Sequence, residues 1–338
     1  MCGDSFFFCC VGRDFLLTLI VLHDNKAGFY MPLKNTGVLL GLLFCFISAA
    51  FDVYVAFVMQ VLNLWVIIFY CFSSSAVLFV GYSLWKDETS LVINIRRDSV
   101  WVVFSNVAVL LNWGGLFNAL RYLEPAVVGV ASVASGPALT LVVAVFIKAD
   151  NKVRRVEAVI AYLVLLSVGV MLYQSFIGAS GLSSSSFEQR IIGIVSVVVC
   201  ALGTVFYTFC SKKLYRAGWK SYEILAVRNV LIIIVGGLFV SLGESSLSLA
   251  AEWVMPMVVL VVLGHIVPVM LIQKAILHLS PLNVAFVLLM LPVFTLLLQY
   301  LDSRVSVSVE SITAVLIIVV LLALLAVFNA QSKGRGQK

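Results

Sequence analysis

The sequence predicts an all-α integral membrane protein with ten transmembrane helices, arranged as two inverted five-helix repeats. Three observations predict it. Hydrophobic residues make up 62% of the 338 positions and charged residues only 11%, against roughly 25% charged in a soluble domain. The apolar residues collect in stretches of membrane length. The second half of the chain also repeats the first at a fixed offset of 156 residues without a gap. Gly37 maps to Gly193, and Glu88-Thr89-Ser90-Leu91 maps to Glu244-Ser245-Ser246-Leu247.

Residues 1–35 lie outside the repeat and read as a cytoplasmic extension. Their apolar run is broken by Arg13 and Asp14, and Met31 is an alternative start. The first repeat, 36–176, holds apolar stretches near 36–57, 61–85, 99–120, 125–147 and 156–176. A linker at 177–189 contains Ser183-Ser184-Ser185-Ser186. The second repeat, 190–328, holds stretches near 190–211, 222–242, 253–277, 281–300 and 309–328, and a basic tail follows at 329–338. A helix needs roughly 20 residues to cross the hydrocarbon core. Helices are expected because lipid offers no partner to unpaired backbone groups, and the short alternating strands of a barrel are absent from the sequence. An odd number of spans per repeat makes the two halves insert in opposite directions.

The net charge of +6 comes from basic residues scattered in short loops rather than gathered in a stripe. That pattern sets orientation and excludes nucleic acid as a partner. With the N-terminus inside, the inner loops hold Lys86, Arg96, Arg97, Lys148, Lys152, Arg154, Arg155, Lys212, Lys213, Arg216 and Lys220. The outer loops keep Arg121, Arg190 and Arg304. Both termini are therefore expected in the cytoplasm, and the cell (inner) membrane is the expected location. The seven cysteines form no Cys-x-x-Cys, so neither a disulfide framework nor a metal site has support. No cofactor is implied.

Ala119-Leu120-Arg121-Tyr122-Leu123-Glu124-Pro125 is followed by Gly136-Pro137 in the next stretch. Its repeat mate, Ala275-Ile276-Leu277-His278-Leu279-Ser280-Pro281, is followed by Pro292. Both copies resemble the signature of the EamA family of the drug/metabolite transporter superfamily. The resemblance covers about 36 to 328 and implies ten helices as five plus five, with solute transport as the function. Leu277 departs from the pattern, where the family carries a basic residue.

Several residues are candidates for the transport path. Pro137, Pro268 and Pro292 fall inside spans, where each removes a helical hydrogen bond. They read equally as pathway kinks or as packing kinks. Asp52 lies about 24 Å into the first span. It faces either a cavity or the outer headgroups. Arg228 holds an anionic solute group or snorkels to the cytoplasmic surface. His265 sits mid-span as a packing residue or a proton carrier. Ser105 and Asn112 are seven apart and expected on one face, with Trp113 beside them. Tyr207 and Gln273 complete the substrate-binding set.

Inverted repeats are a frequent architecture of solute transporters, with substrate held near the midplane. The expected function is secondary active transport, with export the expected direction, of small metabolites such as amino acids or related amphipathic solutes. No Gly-rich phosphate loop is present to burn ATP, so a proton or counter-solute would drive it. A membrane enzyme acting on a lipid and a nucleotide-sugar-type exchanger of the same fold are the alternatives. The expected partners are a small-molecule substrate and the lipid bilayer, and a homodimer is compatible with the sequence.

Overall fold

A computed structural model describes residues 33–58, 62–86, 88–123, 125–136, 139–140, 155–177, 186–243 and 247–300, with isolated helical positions between 309 and 324. The extension at 1–32, Pro137, most of the linker and of the 309–328 stretch, and the tail lie outside the described residues. Helices connected by turns and short loops make up the described chain, with no strand among them. The helices are α1 (Leu33–Val58), α2 (Leu64–Lys86), α3 (Glu88–Arg97), α4 (Ser99–Val109), α5 (Gly115–Tyr122), α6 (Pro125–Ala134) and α7 (Arg155–Ile177). They continue as α8 (Phe187–Arg216), α9 (Ser221–Val227), α10 (Val230–Leu242), α11 (Ala251–Val259), α12 (Val267–His278), α13 (Pro281–Leu288) and α14 (Met290–Tyr300).

Among the described residues, seven helical runs are long and apolar enough to cross a membrane. Their outer surface supports the same conclusion. Val77 and Trp85 are each 74% exposed, while Ser75, Asn106, Thr208 and Gln273 are buried. Large apolar side chains thus cover the outside as well as the core, as expected where lipid is the surrounding solvent and polar groups must find partners inside. The protein is a multi-pass integral membrane protein. Cations pair with aromatic rings at the helix ends. Lys86 lies 5.7 Å from the Trp85 ring and Lys213 5.5 Å from Trp101, the amphipathic combination favoured at a membrane interface.

Local chemistry sets the helix ends. The Ser186 side chain accepts from the Gln189 N–H while the Gln189 side chain accepts from the Ser186 N–H, a reciprocal cap that starts α8. The Ser280 side chain accepts from the Asn283 N–H to start α13, with Pro281 at the first helical position. At the other end of α8, Gly218 takes φ +92°, where a side chain would be strained. The Gly218 N–H then reaches the Tyr215 carbonyl and the Trp219 N–H reaches Leu214, closing the helix with a Schellman turn.

Three spans are irregular at membrane depth. Leu110–Gly114 joins α4 to α5 as a wide π-helical turn, and Leu260–Ile266 joins α11 to α12 in the same way. In the second, the Val267 N–H reaches back five residues to Val262, just before Pro268, which has no N–H to give. The run Ser221–Leu242 breaks at Arg228 and Asn229, between α9 and α10. The break exposes the Val227 carbonyl and the Leu231 N–H. Asn106 on α4 answers both, donating to Val227 at 2.8 Å and accepting from Leu231 at 3.1 Å. A broken helix is tolerated in a membrane only when such partners exist.

Residues 88–97, which read as a connecting loop, form α3. The basic pair Arg96-Arg97 masks the apolar run Leu91-Val92-Ile93 in front of it. α3 is tied to the start of α9 through Glu223, which accepts from Ser90 at 2.9 Å and from the Lys220 N–H at 2.7 Å. Between α3 and α4, Asp98 accepts from Arg97 at 2.8 Å and from the Trp219 indole at 2.8 Å. Burial alone would raise the Asp98 carboxyl. The Arg97 and Trp219 hydrogen bonds and the Arg97 charge outweigh it and hold the group below its ordinary value.

The spans pack across the chain midpoint. α8 lies on α4 and α5, α9 and α10 lie on α2, and α14 lies on α6. α8 meets its partner nearly backbone to backbone. A Cβ on Gly115 would fall 2.6 Å from the Ser196 carbonyl oxygen, and one on Gly203 would strike the Asn112 backbone. Two further contacts are reciprocal. A Cβ on Gly37 would lie 2.9 Å from Leu279 Cγ, and one on Gly193 would lie 2.7 Å from Leu123 Cγ. Gly37 and Gly193 are 156 residues apart, as are Leu123 and Leu279.

Candidate functional site

A cavity of about 90 Å³ opens between α1, the α4–α5 run, α6, α8, the α9–α10 break, α12, α13 and α14. Seven pairs of its lining residues are 156 positions apart: Phe44 and Cys200, Ser48 and Thr204, Phe51 and Tyr207, Asp52 and Thr208, Trp113 and Val269, Leu116 and Ile272, Ser132 and Leu288. Only five lining residues fall outside this pairing: Asn112, Val133, Arg228, Ile276 and Leu291. The cavity is therefore built mostly from matching positions of the two halves. Its chemistry is not matched. The position equivalent to Asp52 is Thr208, and the position equivalent to Arg228 is Phe72.

Asp52 is 4% exposed. The reading that placed it among outer headgroups is therefore replaced by a buried carboxylate on the cavity wall. It has no hydrogen bond or ion pair to any described residue. Arg228 is 2% exposed, so it does not snorkel. The helix break at this residue turns it inward, and its Nε and Nη2 have no hydrogen-bond partner among the described residues. Glu223, five residues earlier, is occupied by Ser90, Asn94 and Lys220. The guanidinium instead lies 4.8 Å from the Tyr207 ring centroid, within the range of a cation–π contact.

Tyr207 is held in place by a relay. Its hydroxyl donates to Gln273 Oε1. Gln273 Nε2 donates to Tyr215 at 3.0 Å, and Tyr215 in turn meets Ser221 at 2.8 Å. Gln273 thus stands behind the wall and orients Tyr207 rather than lining the cavity. Asn112 and Trp113 do line it, and Asn112 lies 3.7 Å from the Cys200 thiol.

His265 also lies behind the wall. It packs 4.3 Å from Phe72 and 5.0 Å from Trp113, centroid to centroid, and both ring nitrogens lack partners among the described residues. Phe51 covers Gly264 so closely that no Cβ would fit there. Ser105 is buried away from the cavity. Of the pair Ser105 and Asn112, the second alone reaches the cavity wall. Pro268 is buried at the start of α12, and the chain turns at Leu289, three residues before Pro292. Ser48, Cys200, Thr204 and Thr208 are cavity residues that polarity alone did not single out. Applying the 156 offset to the first span around Asp52 finds the last three.

This fold has a solved counterpart. A structure described only as a crystal structure of a protein aligns with a TM-score of 0.64 at 16% sequence identity, covering 86% of this chain and 96% of that one. Such a likeness concerns the helix arrangement alone. No protein-family profile matches the sequence, and no curated protein matches it.

Proposed function

We propose that the protein is a secondary active transporter of small metabolites, of the EamA type, built from ten helices as two inverted repeats. The observation that carries this reading is the cavity lined by matching positions of the two halves. A site on a pseudo-two-fold axis near the midplane is where inverted-repeat transporters hold their solute. The reciprocal Gly37–Leu279 and Gly193–Leu123 contacts support the same relation. So does the placement of the connecting segments. Tyr70 donates to the Leu247 carbonyl at 2.7 Å, and Tyr70 sits about 24 Å along α2 from Lys86 and the start of α3. Leu91 in α3 and its repeat mate Leu247 thus lie toward opposite ends of α2, which supports an inverted relation.

The basic residues of the α2, α8 and α3 ends make that face cytoplasmic in this reading. Alternating access follows by rocking one repeat against the other, with solute gradient, proton or counter-solute as the drive. Amphipathic solutes such as amino acids suit a cavity that mixes aromatic walls with a few polar groups. Export is the direction we assign.

The test is flux in proteoliposomes carrying the full chain, across solute classes, with and without a pH gradient. Saturable flux of a small metabolite is expected. Flux that never saturates would make the protein a channel, and lipid turnover without flux would make it an enzyme.

A further inference from the structure

We infer that the cavity is a two-ended site for small zwitterions, with Asp52 receiving the ammonium and Arg228 the carboxylate. The inference deepens the transporter reading and rests on it for its purpose, but it concerns binding, which is measured without flux.

The two charges come from different halves of the chain, Asp52 from α1 and Arg228 from the break after α9. Both line the same cavity and both are at least nine-tenths buried. Neither has an ionic partner among the described residues, and they do not pair with each other. An unpaired buried charge is costly, and membrane proteins keep one where it faces a cavity or a ligand. Two opposite charges left open in one cavity define the ligand that satisfies them. A simple cation leaves the guanidinium unpaired, and a simple anion leaves the carboxylate unpaired. A zwitterion satisfies both and brings no net charge into a low-dielectric space.

The two-fold pairing of the lining sharpens the argument. Were the cavity chemically symmetric, a ligand would bind in two equivalent orientations. The position equivalent to Asp52 is Thr208, and the position equivalent to Arg228 is Phe72, so only one orientation meets both charges. The Tyr207 ring holds the guanidinium in place from one side. Phe44, Phe51 and Trp113 offer the apolar surface for a side chain between the two ends.

The experiment is direct binding to the purified full chain in nanodiscs, by titration calorimetry. The ligands are alanine, leucine and phenylalanine, each beside its N-acetyl and methyl-ester forms. The N-acetyl group removes the ammonium charge and the ester removes the carboxylate. At least one free amino acid is expected to bind, with each blocked form about tenfold or more weaker, the worth of a charged hydrogen bond. Asp52→Asn should erase the difference between the free and N-acetyl forms while keeping the penalty on the ester. Arg228→Gln should do the reverse. The ligand changes test the inference on the unaltered protein, so a variant that fails to fold does not decide it. Equal binding of the ester would mean a cation site, equal binding of the N-acetyl form an anion site, and no binding of any ligand no such site; each overturns the inference. Saturable flux of another solute class alongside any of these leaves the transporter reading standing. The zwitterion pattern without flux in liposomes removes that reading and keeps the site.

Discussion

The reciprocal contacts of Gly37 and Gly193 make a prediction about which way the cavity opens. Lys212, near the end of α8, donates to the Leu277 carbonyl near the end of α12 at 3.0 Å. Leu279 and Gly37 therefore lie at the end of the bundle where α8 finishes, and Gly193 and Leu123 lie where α8 begins. A methyl added at Gly37 would sit 2.9 Å from both His278 Cβ and Leu279 Cγ, and one at Gly193 would sit 2.7 Å from Leu123 Cγ. Carbon atoms favour separations of about 3.5–4.0 Å, so each methyl overlaps its neighbour by roughly 0.6 Å or more.

Overpacking of this kind costs about 1–3 kcal/mol, with the lower value where the leucine can yield. The gain in helix propensity on replacing glycine, up to about 1 kcal/mol, applies to open and closed forms alike and shifts nothing between them. The net expectation is a change of about 5- to 150-fold in the open population at that end. Cys200 on the cavity wall is a native reporter. With the other six cysteines replaced by serine, Gly37→Ala should raise maleimide labelling of Cys200 from the side of the α8 end. Gly193→Ala should raise it from the other side. Labelling that moves in the same direction in both variants, or in neither, would refute the opposed-gate reasoning.

Three further predictions concern individual groups. Asn106→Leu leaves the Val227 carbonyl and the Leu231 N–H unanswered inside the bundle, so a loss of about 2 kcal/mol or more is expected, read as earlier thermal unfolding in nanodiscs; an unchanged midpoint would show that the break needs no such partner. Tyr207→Phe keeps the ring beneath Arg228 but cuts the link to Gln273, and a several-fold loss of solute affinity is expected, against a larger loss for Tyr207→Leu; equal losses would assign the effect to the hydroxyl alone. The carboxyl of Asp98 is held below its ordinary value of 3.8, so its contribution is present above that value and fades as pH falls through the lower folded one. Hydrogen exchange at residues 95–101 and 217–220 should accordingly be slow near neutrality and faster under strong acid, and Asp98→Asn should show the fast rate at neutrality.

The spans were legible because the bilayer imposes one rule on all of them: enough apolar residues to cross, with few charges. α1, α2, α7 and α8 follow that rule and lie close to where hydropathy places them. The interruptions were not legible, because what permits them is distant in sequence. Nothing near Val227 announces that Asn106, more than a hundred residues earlier, will take over its carbonyl. α3 looks like a loop in sequence because its apolar face is short and ends in Arg96 and Arg97.

In the cavity, Asp52, Asn112, Trp113, Tyr207 and Arg228 stood out because polar and aromatic groups are rare within such spans. The same rarity singled out Ser105, Gln273 and His265, none of which lines the cavity. Rarity marks a residue that needs a reason to be there, and packing or a supporting hydrogen bond is reason enough.

The wide turns at Leu110–Gly114 and Leu260–Ile266 carry one residue beyond what a regular helix would hold. Removing one residue from 110–114 should let that span close up as an ordinary helix, turning everything on one side of the join by about 100° relative to the other. A helical wheel for this span must accordingly be drawn as two wheels that disagree. An aligner that charges heavily for a single gap will then mispair its first half or its second with any relative that lacks the turn.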